Sequence, residues 1–155
     1  MWELCVGREL VRCMDCRLTV WTECDTLMER PSELGPRDGK LASCPASPNC
    51  VSTCDVAAVM QPIPFFCTAS VARDQISEAL VELPRCEIII CEMNYVHAEV
   101  RTKWLRFVDD VEFLIDSERR WIHFRSASRL GYWDFGVNRR RMEALGQRLY
   151  MLCSG

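Results

Sequence analysis

The sequence predicts an α+β fold: a four-stranded antiparallel meander with two helices packed on one face, in the order helix-β-β-β-β-helix. Three observations predict it. Four short runs between residues 87 and 126 read as strands, and three of them alternate apolar and polar side chains with the period of a half-buried strand. A stretch on either side of those runs repeats its apolar residues every three or four positions, as a helix with one buried face does. The joints between strands are short, which favours antiparallel return over the long crossover that a parallel pair needs. At 155 residues the chain has about the length of one domain and enough material for one core.

In chain order, residues 1–34 read as a poorly ordered or loosely packed extension, with a short helix over 4–10 and a β-like patch over 18–21. Between 31 and 48 stand Pro31, Gly35, Pro36, Asp38-Gly39, Pro45 and Pro48, a density of turn residues that marks loop. The boundary falls near Gly35, with 35–155 as a single α+β domain. Ser70 is the expected N-cap of the first helix, which runs to Leu83 ahead of Pro84 and buries Ala72, Ile76, Ala79, Leu80 and Leu83. The β-branched run Ile88-Ile89-Ile90 centres a strand over 87–93. Over 95–104, Val96, Ala98, Val100, Thr102 and Trp104 share one face, and Tyr95, His97, Glu99, Arg101 and Lys103 the other. Over 107–116, Phe107, Val111, Phe113 and Ile115 point inward and Asp110, Glu112 and Asp116 outward, while Asp109 breaks the apolar face. Over 121–126, Ile122 and Phe124 are inward, His123 and Arg125 outward. A loop over 127–137 leads to Asn138, the expected N-cap of a helix whose stripe is Met142, Leu145, Leu149 and Leu152. The sheet face away from the helices is expected to be wet.

Composition excludes several classes. With 49% apolar residues and a net charge of -3, the chain is not a disordered one. No apolar run approaches the roughly 20 residues of a membrane-spanning helix. A pI near 5.5 argues against nucleic acid as partner. The opening residues MWELCVGREL show no basic stretch followed by an apolar one, so reduced thiols and a cytoplasmic location are the default reading. The 11 cysteines are odd in number, which forbids complete internal pairing. Cys13-Met-Asp-Cys16 is half of a zinc pattern without its second half, and no metal or cofactor is expected. Cys44 and Cys50 bracket Pro45 and Pro48-Asn49, a stiff turn across which a disulfide is feasible in an oxidising compartment.

Charge is where chemistry gathers. Only Lys40 and Lys103 among the 19 basic residues are lysine, so the fork-shaped guanidinium dominates. Residues 74–118 carry a net charge of -7 and residues 119–155 one of +6, so the two halves attract. Arg139, Arg140 and Arg141 at a helix start oppose its dipole and need compensation. One reading is an anionic ligand or partner group held by Arg125, Ser126, Ser128, Arg129, Asp134, Asn138 and Arg139. The other is an internal network in which Asp109 and Asp110 neutralise the arginines. Adjacent strand residues point apart, so Asp109 and Asp110 do not form an acid/base dyad. His97, Glu99, Asp109 and Asp110 are the candidate residues of a polar face.

These segments resemble a known family. Leu34-Gly35, Gly39-Lys40-Leu41-Ala42, Cys44-Pro45 and Ser47-Pro48-Asn49-Cys50-Val51-Ser52 are similar to the opening of the domain of unknown function 1499 (DUF1499). Pro62-Ile63, Tyr95-Val96-His97-Ala98-Glu99, 107–113, 125–129, Gly131-Tyr132, Asp134 and 135–139 with Arg141 follow its later blocks in order, so the resemblance covers about residues 33–145. It implies a small domain of bacteria or photosynthetic eukaryotes, exported, membrane-attached or in plastids, with no catalytic residues to carry over. The chain departs from the pattern by its leaderless start and by a short stretch between Ser52 and Pro62 that carries Cys54. Two functions stand against each other. The first is a non-enzymatic binding or assembly module, by analogy an accessory subunit of a membrane or plastid complex such as one in the thylakoid lumen. The second is a small hydrolase-like enzyme for a phosphate- or carboxylate-bearing metabolite, with His97 or His123 as base and Arg129 as clamp.

Overall fold

The computed structural model describes residues 29–54, 60–102, 107–132 and 134–153. The readings of a helix over 4–10, a β-like patch over 18–21, the Cys13–Cys16 pattern and the strand positions Lys103 and Trp104 fall outside the described residues. Eight elements follow in order: β1 (Cys50–Ser52), β2 (Ile63–Pro64), α1 (Ala69–Val81), β3 (Cys86–Cys91), β4 (Tyr95–Arg101), β5 (Val108–Asp116), β6 (Trp121–Ser128) and α2 (Val137–Cys153). The meander β3-β4-β5-β6 is antiparallel throughout. Two short strands extend it to six, because β1 and β2 both pair antiparallel with the free edge of β6. They are too short, at three and two residues, to show a period of their own.

Local chemistry sets the helix ends. Thr68 rather than Ser70 is the N-cap of α1: its hydroxyl accepts the Val71 amide at 3.3 Å. Ser70 is already inside the helix. The helix stops at Val81, short of Leu83, and the chain turns through Arg85, a left-handed residue at φ 58. α2 begins at Val137, so Asn138 is its second residue and not its cap. The cap is Asp134, whose carboxylate accepts the amides of Gly136 and Asn138, both at 2.8 Å. Its inner stripe is Met142, Leu145, Leu149 and Cys153; Leu152, expected there, is exposed.

Both helices cover one sheet face. There Val96, Ala98 and Val100 of β4, Val111, Phe113 and Ile115 of β5, and Ile122 and Phe124 of β6 meet Ala72, Ile76 and Leu80 of α1 and the α2 stripe. The opposite face is not wet. His97, Glu99, Asp110, Glu112 and Arg125 on it are all buried. Chain from 30 to 41 lies over them: Arg30 reaches Glu99 at 2.8 Å, the Gly35 amide reaches Glu112 at 2.8 Å, and Leu41 packs with Tyr95 and Leu114. Alternation reports only that a face is polar. It does not distinguish water from buried countercharges.

Candidate anion-binding cleft

The sheet register sorts the charged residues into two networks, one on each face. In β5, Asp109 points to the helices and Asp110 away from them; in β6, Ser126 and Ser128 go with Asp109, and Arg125 with Asp110. The constellation read from the sequence is therefore divided by the sheet itself.

On the helix face, Arg141 donates to Asp109 and to the Asn138 side-chain oxygen, each at 2.7 Å. Ser128 donates to Asp109 at 2.6 Å and Ser126 to Asn138 at 2.5 Å. Asn138 in turn donates to the Asn49 carbonyl at 3.0 Å, tying α2 to the loop before β1. Asp134, expected among the residues that hold an anion, instead accepts the amides of Gly136 and Asn138 at the start of α2. Arg139 stands apart from both networks, half-exposed and 4.0 Å from Glu143. Arg141 reaches Asp109 because one helical turn from Asn138 returns to the sheet side.

On the other face, Arg129 grips Asp110 with Nε at 2.8 Å and Nη2 at 2.7 Å, and Nη2 also reaches Glu99 at 2.6 Å. His97 Nε2 lies 2.8 Å from the same Asp110 carboxylate. Arg30 and Arg101 complete the surroundings of Glu99. Burial pushes the carboxyls of Asp110 and Glu99 upward, but their cationic partners outweigh it and hold both below the usual carboxylate range. For Arg129, burial works against the charge and the two carboxylates more than restore it, so its pKa is raised. Glu112 accepts from Arg125 Nη1 at 3.0 Å, from the Tyr95 hydroxyl at 2.8 Å and from the Gly35 amide.

A cleft of about 260 Å³ opens beside this network, its walls including Asn49, Asp110, Arg125, Ser128, Arg129 and Gly131. A disulfide between Cys44 and Cys50 closes the loop that brings Pro45, Ser47 and Asn49 to the rim. Asn49 is anchored by its amide to the Gly131 carbonyl at 2.5 Å. Arg125 is 4% exposed, and its Nε is buried without a hydrogen-bond partner. A buried guanidinium N–H in that condition costs on the order of 1–3 kcal/mol or more until an acceptor meets it. His97 is also fully buried and His123 sits opposite Leu114, so neither of them lines the cleft among its described residues. Among the described residues no group of three or more His, Cys, Asp or Glu is arranged to hold a metal ion.

The sequence alone missed Glu112 as a partner of Arg125, since only the register places them opposite each other. It also missed Asn49, Arg30 and Arg141, which converge from distant parts of the chain. The Asn138-x-x-Arg141 spacing was the one local signal for the last.

A sheet with helices on one face and, on the other, a buried ion network covered by residues 30–41 beside a disulfide-closed loop defines a small α+β domain with a polar cleft. The chain belongs to the family described as protein of unknown function (DUF1499), whose model matches residues 40–149. Every charged residue of the cleft except Glu33 falls within that match. No curated protein and no solved structure matches the chain.

Proposed function

We propose that the protein is a non-enzymatic binding or assembly module that accepts a single anionic group, from a partner protein or a small ligand, in the cleft beside Arg125. The observations that carry this reading are that Arg125 lines the cleft and that its buried Nε has no hydrogen-bond partner. Arg129 serves as scaffold, since its guanidinium bonds to Asp110 and Glu99. Ser126, Asn138 and Asp134 act behind the cleft by fixing α2 and β6, and Arg139 takes no part. The volume, about 260 Å³, is below the range of roughly 300–1,000 Å³ usual for whole small-molecule sites, which favours one functional group over a whole metabolite. The enzyme reading needs a base within about 2.6–3.2 Å of the bound group, and the cleft residues named above supply no histidine. A role as accessory subunit of a membrane or plastid complex rests on family analogy. No described helix is long and apolar enough to cross a membrane.

The test is a titration of isotope-labelled protein with acetate and with inorganic phosphate, following the Arg125 Nε–H resonance. A saturable shift shared by the Asn49 and Gly131 amides, with a dissociation constant at or below about 1 mM, is expected. An Arg125 resonance unmoved by either anion would remove the reading.

A further inference from the structure

We infer that Cys54, together with Thr53 and His123, forms a nucleophilic thiol site that exchanges with small disulfides. The site lies at the end of β1 and uses none of the cleft residues. The Thr53 hydroxyl stands between the two reacting groups, 4.0 Å from Cys54 Sγ and 3.3 Å from His123 Nδ1. It is held there by the β6 backbone, accepting the Phe124 amide at 3.0 Å. The Cys54 amide is in turn fixed to the Ser52 hydroxyl at 3.0 Å. These bonds tie the thiol to the turn just past β1 and to β6, the strand that carries the imidazole, as a paired nucleophile and base require.

The thiol is half-buried, against the small cluster of Leu41, Tyr95 and Leu114. The neighbouring His123 imidazole is the main cause holding its pKa below the ordinary thiol value; burial opposes it, and the Leu41 backbone assists. Tyr95 is the other titratable group in that cluster. Burial first and the Glu112 carboxylate second push its pKa up, so it remains a neutral phenol. Two other described thiols differ: burial pushes Cys86 up, and burial with the neighbouring Cys67 pushes Cys153 up to about 12.

In the reaction, His123 takes the thiol proton and the Cys54 thiolate attacks one sulfur of the disulfide. A bond forms between Cys54 Sγ and that sulfur, the old S–S bond breaks, and the departing thiolate recovers the proton from His123. Cys54 is oxidised to a mixed disulfide, and one thiol of the reagent is released.

The probe is glutathione disulfide, with iodoacetamide in parallel, and each cysteine is followed by peptide mass spectrometry from pH 5 to 10. Cys54 is expected to react at pH 7 at least about threefold faster than the exposed Cys91, with its pH midpoint below that of Cys91. His123→Gln is expected to raise that midpoint and slow Cys54 alone; Thr53→Ser, which keeps the hydroxyl, leaves both near the parent values. A Cys54 that is inert, or that shares the rate and midpoint of Cys91 in the unmutated protein, would overturn the inference even if the variants failed to fold.

Discussion

Asp110 is gripped on both carboxylate oxygens by Arg129, with His97 Nε2 2.8 Å from one of them. Breaking a buried pair leaves one charge uncompensated, which typically costs about 3–5 kcal/mol. Arg129→Met is therefore expected to lower stability by about that amount in chemical denaturation, whereas Arg139→Ala stays within about 0.5 kcal/mol, as exposed sites do. Acid should act through the same group. The carboxyls of Asp110 and Glu99 have lower pKa values folded than unfolded, so the unfolded chain binds more protons in acid. Their contribution is fully present above the unfolded values, near 3.9 and 4.3, and is lost as the pH falls through the lower folded ones. Thermal melts should show the midpoint dropping as pH descends from about 5 toward 2. Asp110→Asn, already less stable at pH 7, should show a shallower drop; an equal drop would assign the acid response elsewhere.

At the scale of elements, the periods of α1, β4, β5, β6 and α2 were legible, because each turns an apolar face to the shared core and a polar face away from it, which writes a period of 3.6 or 2 into the chain. Their ends were not. Thr68 and Ser70 are both good caps in isolation, and which one leaves the helix depends on where the preceding chain crosses β6. Thr68→Ala is expected to destabilise by about 1 kcal/mol and Ser70→Ala by much less, a comparison that thermal melts of the two variants decide. At the other helix, Phe135 and Gly136 adopt positive φ of 53 and 73, which turns the chain so that Asp134 meets the first amides. Asn138 reads as a cap by type but is drawn inward by Asn49, Ser126 and Ser128. The short β1 and β2 exist only because β6 offers them an edge.

Over the whole molecule, the cleft depends on a loop that is closed covalently and laid against the sheet. By the chain-entropy estimate, a closed loop of this length is worth about 2 kcal/mol, and it also fixes the rim residues Ser47 and Asn49. Replacing Cys44 and Cys50 by serine is expected to lower the melting temperature and to weaken the acetate-induced shift at Arg125 while leaving the shared helix-face core folded. A variant that binds acetate with unchanged affinity would separate the loop from the cleft. By itself, the sequence determined the helix-meander-helix order, the inward apolar residues and the divergence of Asp109 from Asp110, since all three follow from the periodicity of a single chain. Only the tertiary structure decided that the polar face is sealed, that Arg125 meets Glu112 and that Arg141 meets Asp109. Pairing across strands and loops is a matter of register and of which distant segment lies on top, and neither leaves a trace in local spacing.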